Sequence, residues 1–380
     1  LLIVEQKMKV VFVQPAVPVY RVPLFDILYQ RLNGELSVYA SVSHMEGLGN
    51  AVTGKPWFRP LEPLKKILFG LVWQKGLMSN RLGNPDLVVL CGDVRNLTTI
   101  ALLIRWKAQG VPVLWWSHLR SSRSSRLRTK IRLLIGLSAN KFLFYTKSER
   151  NQFQYSNFWR IFASSRSGFV GNGLELSNIA RLRSEFRWKE RKSHIVFIGR
   201  LVNAKRLSII LEAFSGTPDL KYTLHIIGAG PAENSLKNMA SKFGIAHLCS
   251  WHGGLMEEKH IGKVMNRCEA FVYGDSVGLS IIHSMAYGLP VIVHSDWNSH
   301  NPEIEAFEEG RTGFSFSKDN PTSLRSVLFD LKSRKRSLEE VSKECISRVT
   351  EKYNTDRMAS RFYSYLTSFE PARTGSKSAF

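Results

Sequence analysis

Two short stretches of this chain place charged side chains beside glycine in patterns suited to holding an anion. In Gly199-Arg200-Leu-Val-Asn-Ala-Lys205, a planar guanidinium and a flexible ammonium flank the end of the apolar run Ile195–Ile198. Arg offers a fork and Lys a movable point charge, a combination that suits a diphosphate. About 75 residues further on, Asp275-Ser276-Val277-Gly278-Leu279 opens a helical pattern that carries His283 and stops at Gly288-Leu-Pro290. Gly278 admits close backbone approach, and the helix that follows turns its positive dipole end to whatever lies there. Asp275 and His283 are eight residues apart, so both are expected to face one cleft. Two glycines, Gly228 and Gly230, follow the apolar run Leu224–Ile227. Glu233 stands where a dinucleotide fingerprint needs its third glycine, which argues against that cofactor.

Those motifs, in that order, resemble glycosyltransferase family 4, retaining enzymes of GT-B fold. The resemblance is closest to the subset that acts in bacterial surface-polysaccharide assembly. The family pattern reads Gly-Arg-x4-Lys, then Glu-x7-Glu, then a small-residue helix and Gly-x-Pro-Val. Here Asp275 and His283 stand at the two acidic positions, a departure that bears on donor identity more than on reaction class. The resemblance implies that Arg200 and Lys205 neutralise a leaving diphosphate. It implies that Asp275 binds donor-sugar hydroxyls and that His283 faces the ribose, so His283→Glu should be tolerated. Gly199, Gly228, Gly230, Ser276, Val277, Gly278, Leu279 and Glu303 are the further donor-side candidates. It also implies a first-lobe His near the reaction centre, and His118 ends the run Leu114-Trp-Trp-Ser. The proline-rich loop after the first strand carries Tyr20 and Arg21, placed on the acceptor side.

The elements needed to position these residues alternate. Apolar runs at Val10–Val13, Leu36–Ala40, Leu87–Leu90, Val113–Trp116 and Lys141–Tyr145 read as strands of a first lobe. Ile195–Ile198, Leu224–Ile227, Ala270–Tyr273, Val291–His294 and Gly313–Phe316 read as a second set. Helical patterns lie between them and over 321–348 and 354–369. The expected fold is α/β, GT-B, with two Rossmann-like parallel-sheet domains and a cleft between them. The expected division is 1–173 for the acceptor side, 174–353 for the nucleotide sugar, and 354–380 as a helix crossing back with a disordered tail.

The chain has 380 residues and a net charge of +22, unevenly spread. Residues 1–170 hold 24 Lys or Arg against 8 Asp or Glu, while the rest hold 29 against 23. From Arg95 to Val170 fourteen basic residues face one acid, Glu149. Such an excess calls for an anionic partner. Two stretches read as amphipathic helices. One spans Leu64 to Lys75, and its apolar face is expected to cover its own sheet. The other spans Arg120 to Lys141, with Arg123, Arg126, Arg128, Lys130 and Arg132 suited to an anionic membrane.

Four cysteines without metal-type spacing read as reduced thiols, and no apolar run reaches the ~18 residues of a spanning helix. Residues 1–7 carry no convincing signal peptide, and a natural start at Met8 would make them an extension. No Asp-x-Asp occurs, so no metal or other cofactor is expected. The expected activity is transfer from a nucleoside diphosphate sugar to a lipid-linked or other saccharide acceptor. The expected place is the cytoplasm, at the inner face of the cytoplasmic membrane. A nucleotide-sugar epimerase, a phosphorylase and a non-catalytic nucleotide-sugar binder are the alternatives. Nucleic-acid binding is disfavoured, because no recognition signature accompanies the charge.

Overall fold

The computed structural model describes residues 7–42, 54–78, 82–119, 126–155, 165–191, 193–202, 205–215, 222–333 and 335–369. The chain forms two compact units, one of residues 1–172 with 355–380 and one of residues 173–354.

The first unit is built on β1 (Val10–Val13), β2 (Leu36–Ser41), β3 (Phe58–Leu61), β4 (Lys65–Lys66), β5 (Val72–Trp73), β6 (Leu87–Cys91), β7 (Val113–Trp116), β8 (Lys141–Phe144) and β9 (Ser167–Phe169). Seven of these make one sheet in the order β3-β2-β1-β6-β7-β8-β9, parallel at every pair. All four residues of β1 are buried, because both faces of a parallel sheet are covered. Val10 and Phe12 point into one core, Val11 and Val13 into the other. On the first face lie α1 (Val22–Arg31) and the C-terminal helix Thr355–Thr367, whose Phe362 meets Phe12 at 5.6 Å and Trp116 at 4.9 Å between ring centres. On the second lies α2 (Leu97–Ala108), capped by the Asn96 side chain, which accepts from Thr98 N and Thr99 N.

The second unit carries β10 (His194–Ile198), β11 (Thr223–Ile227), β12 (Cys249–Trp251), β13 (Ala270–Val272), β14 (Val291–His294) and β15 (Gly313–Phe316). They form one parallel sheet in the order β12-β11-β10-β13-β14-β15. Leu174 N donates to Tyr353 O, and Leu174 bridges to Asn354, so the chain enters and leaves this unit side by side.

The ten strands read from the sequence are present, with ends shifted by at most a residue. Besides β4 and β5, three short strands escape such reading. β3 is an edge strand interrupted by Pro60, β9 is Ser-Gly-Phe, and β12 has only three half-buried residues.

The stretch from Leu64 to Lys75 is not a helix. β4 and β5 pair antiparallel there, joined by a tight turn at Leu68–Gly70 in which Phe69 has φ 59°. Gly70, at φ 74°, completes a reversal that no continuing helix could follow. The expected helix from Arg120 is described over Arg126–Leu137, and Arg123 lies outside the described residues.

Candidate functional site

In an open parallel sheet a ligand sits at the strand C-termini where the order reverses. In the second unit that point lies between β10 and β13, which are neighbours. Gly199-Arg200 leaves β10 and Gly274-Asp275 leaves β13, so the two motifs, about 75 residues apart in sequence, emerge side by side. Arg200 is exposed. Lys205 opens the helix Lys205–Ser215, and its side chain lies outside the described part.

The glycines here have a packing reason. A Cβ on Gly228 would lie 1.9 Å from Gly199 O, and one on Gly230 would lie 2.5 Å from Leu201 O. The turn after β11 therefore rests main chain to main chain on the turn after β10. Leu201 N donates to Ala229 O, and Ala232 N donates back to Leu201 O. At Gly199 a Cβ would meet the Tyr273 hydroxyl at 3.1 Å and its ring at 3.2 Å, and that ring stacks on Phe197.

The loop Asp275–Leu279 is held from the segment after β14. Val277 N donates to His300 Nδ1 at 3.2 Å, while Asn301 N donates to Val277 O at 3.2 Å. A Cβ on Gly278 would touch Asn301 Nδ2 at 3.2 Å and approach Glu303 Oε2 at 4.0 Å. Glu303 is buried, so a carboxylate borders the glycine that opens the loop. His300 Nε2 donates to His294 O, and the two rings stack 3.9 Å apart. Burial pushes the His300 pKa down to about 4, against the opposing pull of the His294 carbonyl; the charges of Asp275 and Asp296 also act on it. Its ring is therefore neutral at pH 7, and Nδ1 accepts. Ser276 Oγ is buried with no hydrogen-bond partner among the described residues. Ile281 N donates to Gly278 O, which starts the helix Ser280–Ala286.

His283, on that helix, is committed elsewhere. Its Nε2 lies 2.8 Å from Glu258 Oε1, and Tyr287 donates to the same oxygen at 2.7 Å. Burial raises the Glu258 pKa, but the His283 and Tyr287 hydrogen bonds outweigh it and hold the carboxyl below its ordinary value. Asp275 belongs instead with His294, His300 and Lys318, all of which feel its charge. The expectation that His283→Glu would be tolerated is thereby corrected. That change would set a second carboxylate against Glu258, where like charges repel. Glu258 was not singled out in the sequence, since nothing in its spacing links it to His283.

In the first unit the strand order reverses between β1 and β6. A cavity there is lined by Val13, Gln14 and Pro15 from the end of β1, Cys91 and Asp93 from the end of β6, and Leu64 and Val72 from the hairpin. Arg21 is buried and lies over the rings of Tyr20, Trp116 and Tyr145 at 5.0, 5.9 and 6.0 Å, its Nη2 donating to Asn172 Oδ1. It braces the loop after β1 and is not offered to a ligand, which corrects its acceptor-side placement. Tyr20 is half-buried.

His118 stacks on Tyr145 at 3.9 Å, and its Nδ1 lies 3.4 Å from Glu149 Oε1. Glu149 is buried and does three things. It accepts from Leu119 N at 2.8 Å, accepts from Thr146 N at 3.2 Å, and closes a reciprocal cap with Thr146 Oγ1 on the helix Lys147–Tyr155. The only acid between Arg95 and Val170 is thus structural, and it sets the position of His118.

Of the basic residues expected at a membrane, Lys130 is exposed, whereas the side chains of Arg126 and Arg128 lie outside the described part. Arg132 is 9% exposed; burial lowers its pKa and the charge of Asp93 raises it. It faces the protein, which removes it from a membrane face. Among the described residues no group of three or more His, Cys, Asp or Glu could hold a metal ion, and no helix is long and apolar enough to cross a membrane.

Residues 178–347 match the model of the glycosyl transferases group 1 family. The fold is that of the GT-B glycosyltransferases. A glycosyltransferase from Rickettsia africae ESF-5 superposes with a TM-score of 0.71 at 12% identity, covering 96% of this chain and 99% of that one. Anabaena Alr3699/HepE in complex with UDP-glucose superposes at 0.67 and 12% identity, over 95% and 100%. The lipopolysaccharide outer core galactosyltransferase WaaB in its apo form gives 0.67 at 14% identity, over 95% and 99%. No curated protein sequence matches the chain.

Proposed function

We propose that this protein is a retaining, metal-independent glycosyltransferase that moves a sugar from a nucleoside diphosphate to a membrane-borne saccharide acceptor in cell-envelope glycan synthesis. The observation that carries the reading is the adjacency of the Gly199-Arg200 and Asp275–Leu279 exits at the switch point of the second sheet, within the family match. Arg200 and Lys205 are assigned to the diphosphate. Charge builds on that group as the glycosidic bond breaks, and a fixed cation there lowers the barrier by about 3 kcal/mol. Asp275 and Glu303 accept sugar hydroxyls, Ser276 Oγ supplies a further hydroxyl, and the main chain at Gly278 and Leu279 meets the donor. His118, oriented by Glu149 and Tyr145, is assigned to the reacting end, and the cavity at the ends of β1 and β6 to the acceptor. His283 acts through Glu258, which it keeps ionised and in place. The helix Arg126–Leu137, with exposed Leu127, Ile131 and Leu134 beside Lys130, supports a place at the inner surface of the cytoplasmic membrane.

A binding screen with UDP, UDP-glucose, UDP-N-acetylglucosamine and GDP-mannose, each with and without EDTA, tests the donor half. A ligand at ~100 times its dissociation constant adds ~2.7 kcal/mol of stability, easily read as a shift in melting temperature. One donor should stabilise the protein, with EDTA making no difference, and be turned over once acceptor is added. Stabilisation by no nucleotide sugar would remove the reading; stabilisation abolished by EDTA would remove its metal-free part.

A further inference from the structure

Residues 64–75 form a small finger, in which β4 and β5 pair antiparallel about the turn Leu68–Gly70. β4 and β5 are only two residues long, and a hairpin of that size does not hold itself together in water. Its root does so instead. Val72 N donates to Arg95 O at 2.9 Å and Gln74 N to Thr98 Oγ1 at 2.8 Å, with Gln74 fully buried. Beyond that root the chain turns through Ile67, Leu68 and Phe69, closed by Ile67 N donating to Leu71 O.

The tip is the anomaly. Leu68 is 74% exposed and Phe69 98%, with Ile67 at 44%. A lone exposed apolar residue needs no account, but three in sequence on a turn do. Phe69 also holds φ at 59°, a conformation that bulky residues rarely adopt, and it does so without any burial in return.

Charge surrounds this tip. Lys65 and Lys66 precede it, both exposed, and Lys75 follows at its base. Lys65 and Lys75 lie close enough that Lys75, through its ammonium and its charge, holds the Lys65 pKa below the ordinary value; Glu62 opposes this. Clustered cations beneath an apolar point fit one environment, in which hydrocarbon lies beyond a layer of negative charge.

We propose that Ile67, Leu68 and Phe69 enter the acyl boundary of an anionic bilayer while Lys65, Lys66 and Lys75 lie at the level of its phosphates. The same hairpin lends Leu64 and Val72 to the cavity at the ends of β1 and β6. Its tip meets the membrane and its root borders that cavity, so a lipid-borne saccharide is delivered where the chain bears its acceptor-side opening. The site named here deepens the acceptor half of the proposed function and rests on none of its donor half.

Flotation of the full chain with vesicles of phosphatidylcholine, with and without 30 mol% phosphatidylglycerol, tests it, each variant first checked for unchanged melting temperature. The wild type should float with the anionic vesicles alone, and Leu68→Asp/Phe69→Asp should lower that partition at least tenfold. Lys65→Glu/Lys66→Glu/Lys75→Glu should lower it as well. If the charge variant abolishes binding while the Asp pair leaves it intact, the protein only adsorbs and insertion is overturned. Equal flotation with neutral vesicles, or none with either, overturns it too. So does a lipid-free dimer, seen by sedimentation and dissolved by Phe69→Asp, which would make a second copy the tip's partner. Nucleotide-sugar binding needs no vesicle, so failure of the donor screen and failure here are separate results.

Discussion

The two units each present a switch point, and they build it by different means. In the second unit two turns are locked main chain to main chain: Gly228 against Gly199 O and Gly230 against Leu201 O. In the first unit the close approaches at glycine are to side chains. Gly92 faces Ser117 and Trp115, Gly136 faces Phe142, and Gly168 faces Tyr365. The exit from β1 has no glycine at all and is braced by Arg21 among three aromatic rings. Contact between backbones admits one residue type and so marks the sequence. Contact between side chains admits many combinations and leaves little trace.

Two arginines break the comparison hardest. Arg200→Ala, in the second unit, should lower sugar transfer about a hundredfold or more while shifting stability by less than about 0.5 kcal/mol. Arg21→Ala should do the reverse in the first unit. It removes the buried hydrogen bond to Asn172 and empties an aromatic-lined space, so it should destabilise by about 3 kcal/mol in urea unfolding. Equal loss of stability in both variants would mean that the exposed arginine is structural as well.

Acid should separate the units. His225 sits between His194 and His252, with ring nitrogens 3.0 and 2.9 Å away; His194 and His225 are on the neighbouring strands β10 and β11, and His252 directly follows β12. Burial, then those neighbours and Arg267, bring its pKa down to about 4. A folded-state value below the unfolded ~6.5 means that the unfolded chain takes up the proton first. Stability is therefore fully present above pH 6.5 and falls as the pH drops toward 4, by about 2 kcal/mol at pH 5. The second unit should melt earlier as the pH goes from 7.5 to 5, and His225→Gln should flatten that slope. An unchanged slope in the variant would assign the acid sensitivity elsewhere.

Glycine substitution is the smallest and sharpest contrast. Gly228→Ala must push two main-chain turns apart and should destabilise by about 2 kcal/mol. Gly168→Ala meets only the far end of the half-buried Tyr365 side chain, which can swing aside, so about 1 kcal/mol is expected. Similar losses for both, measured in the same denaturant, would dissolve the distinction.

This is also why the sequence was legible in part. The second sheet and its exits are readable because Gly228 and Gly230 are demanded by main-chain contact, while Gly199 and Gly278 sit close against the Tyr273 and Asn301 side chains. Buried β-branched runs such as Val10–Val13 betrayed the first sheet. Arg21 escapes a sequence reading because an arginine in a proline-rich loop gives no sign of the rings that enclose it. His283 was placed by spacing along its own helix, yet its partner Glu258 comes from a helix 25 residues earlier. The hairpin is hidden in the sequence because Leu64, Ile67, Leu68, Leu71 and Val72 satisfy a helical period. Only Gly70 and the anchoring of Val72 and Gln74 to the start of α2 decide against it.

The parallel entry and exit at Leu174 and Asn354 have a consequence for how the protein is made. The second unit is one continuous stretch whose ends meet, so everything it needs has left the ribosome once residue 354 emerges. The first unit must wait. Its sheet lacks the cover of Phe362 and Leu366 until the last helix is translated, although its own strands were synthesised first. Birth order and folding order are therefore inverted along this chain, and a nascent polypeptide stalled just after Asn354 should hold a finished second unit behind an unsealed first one.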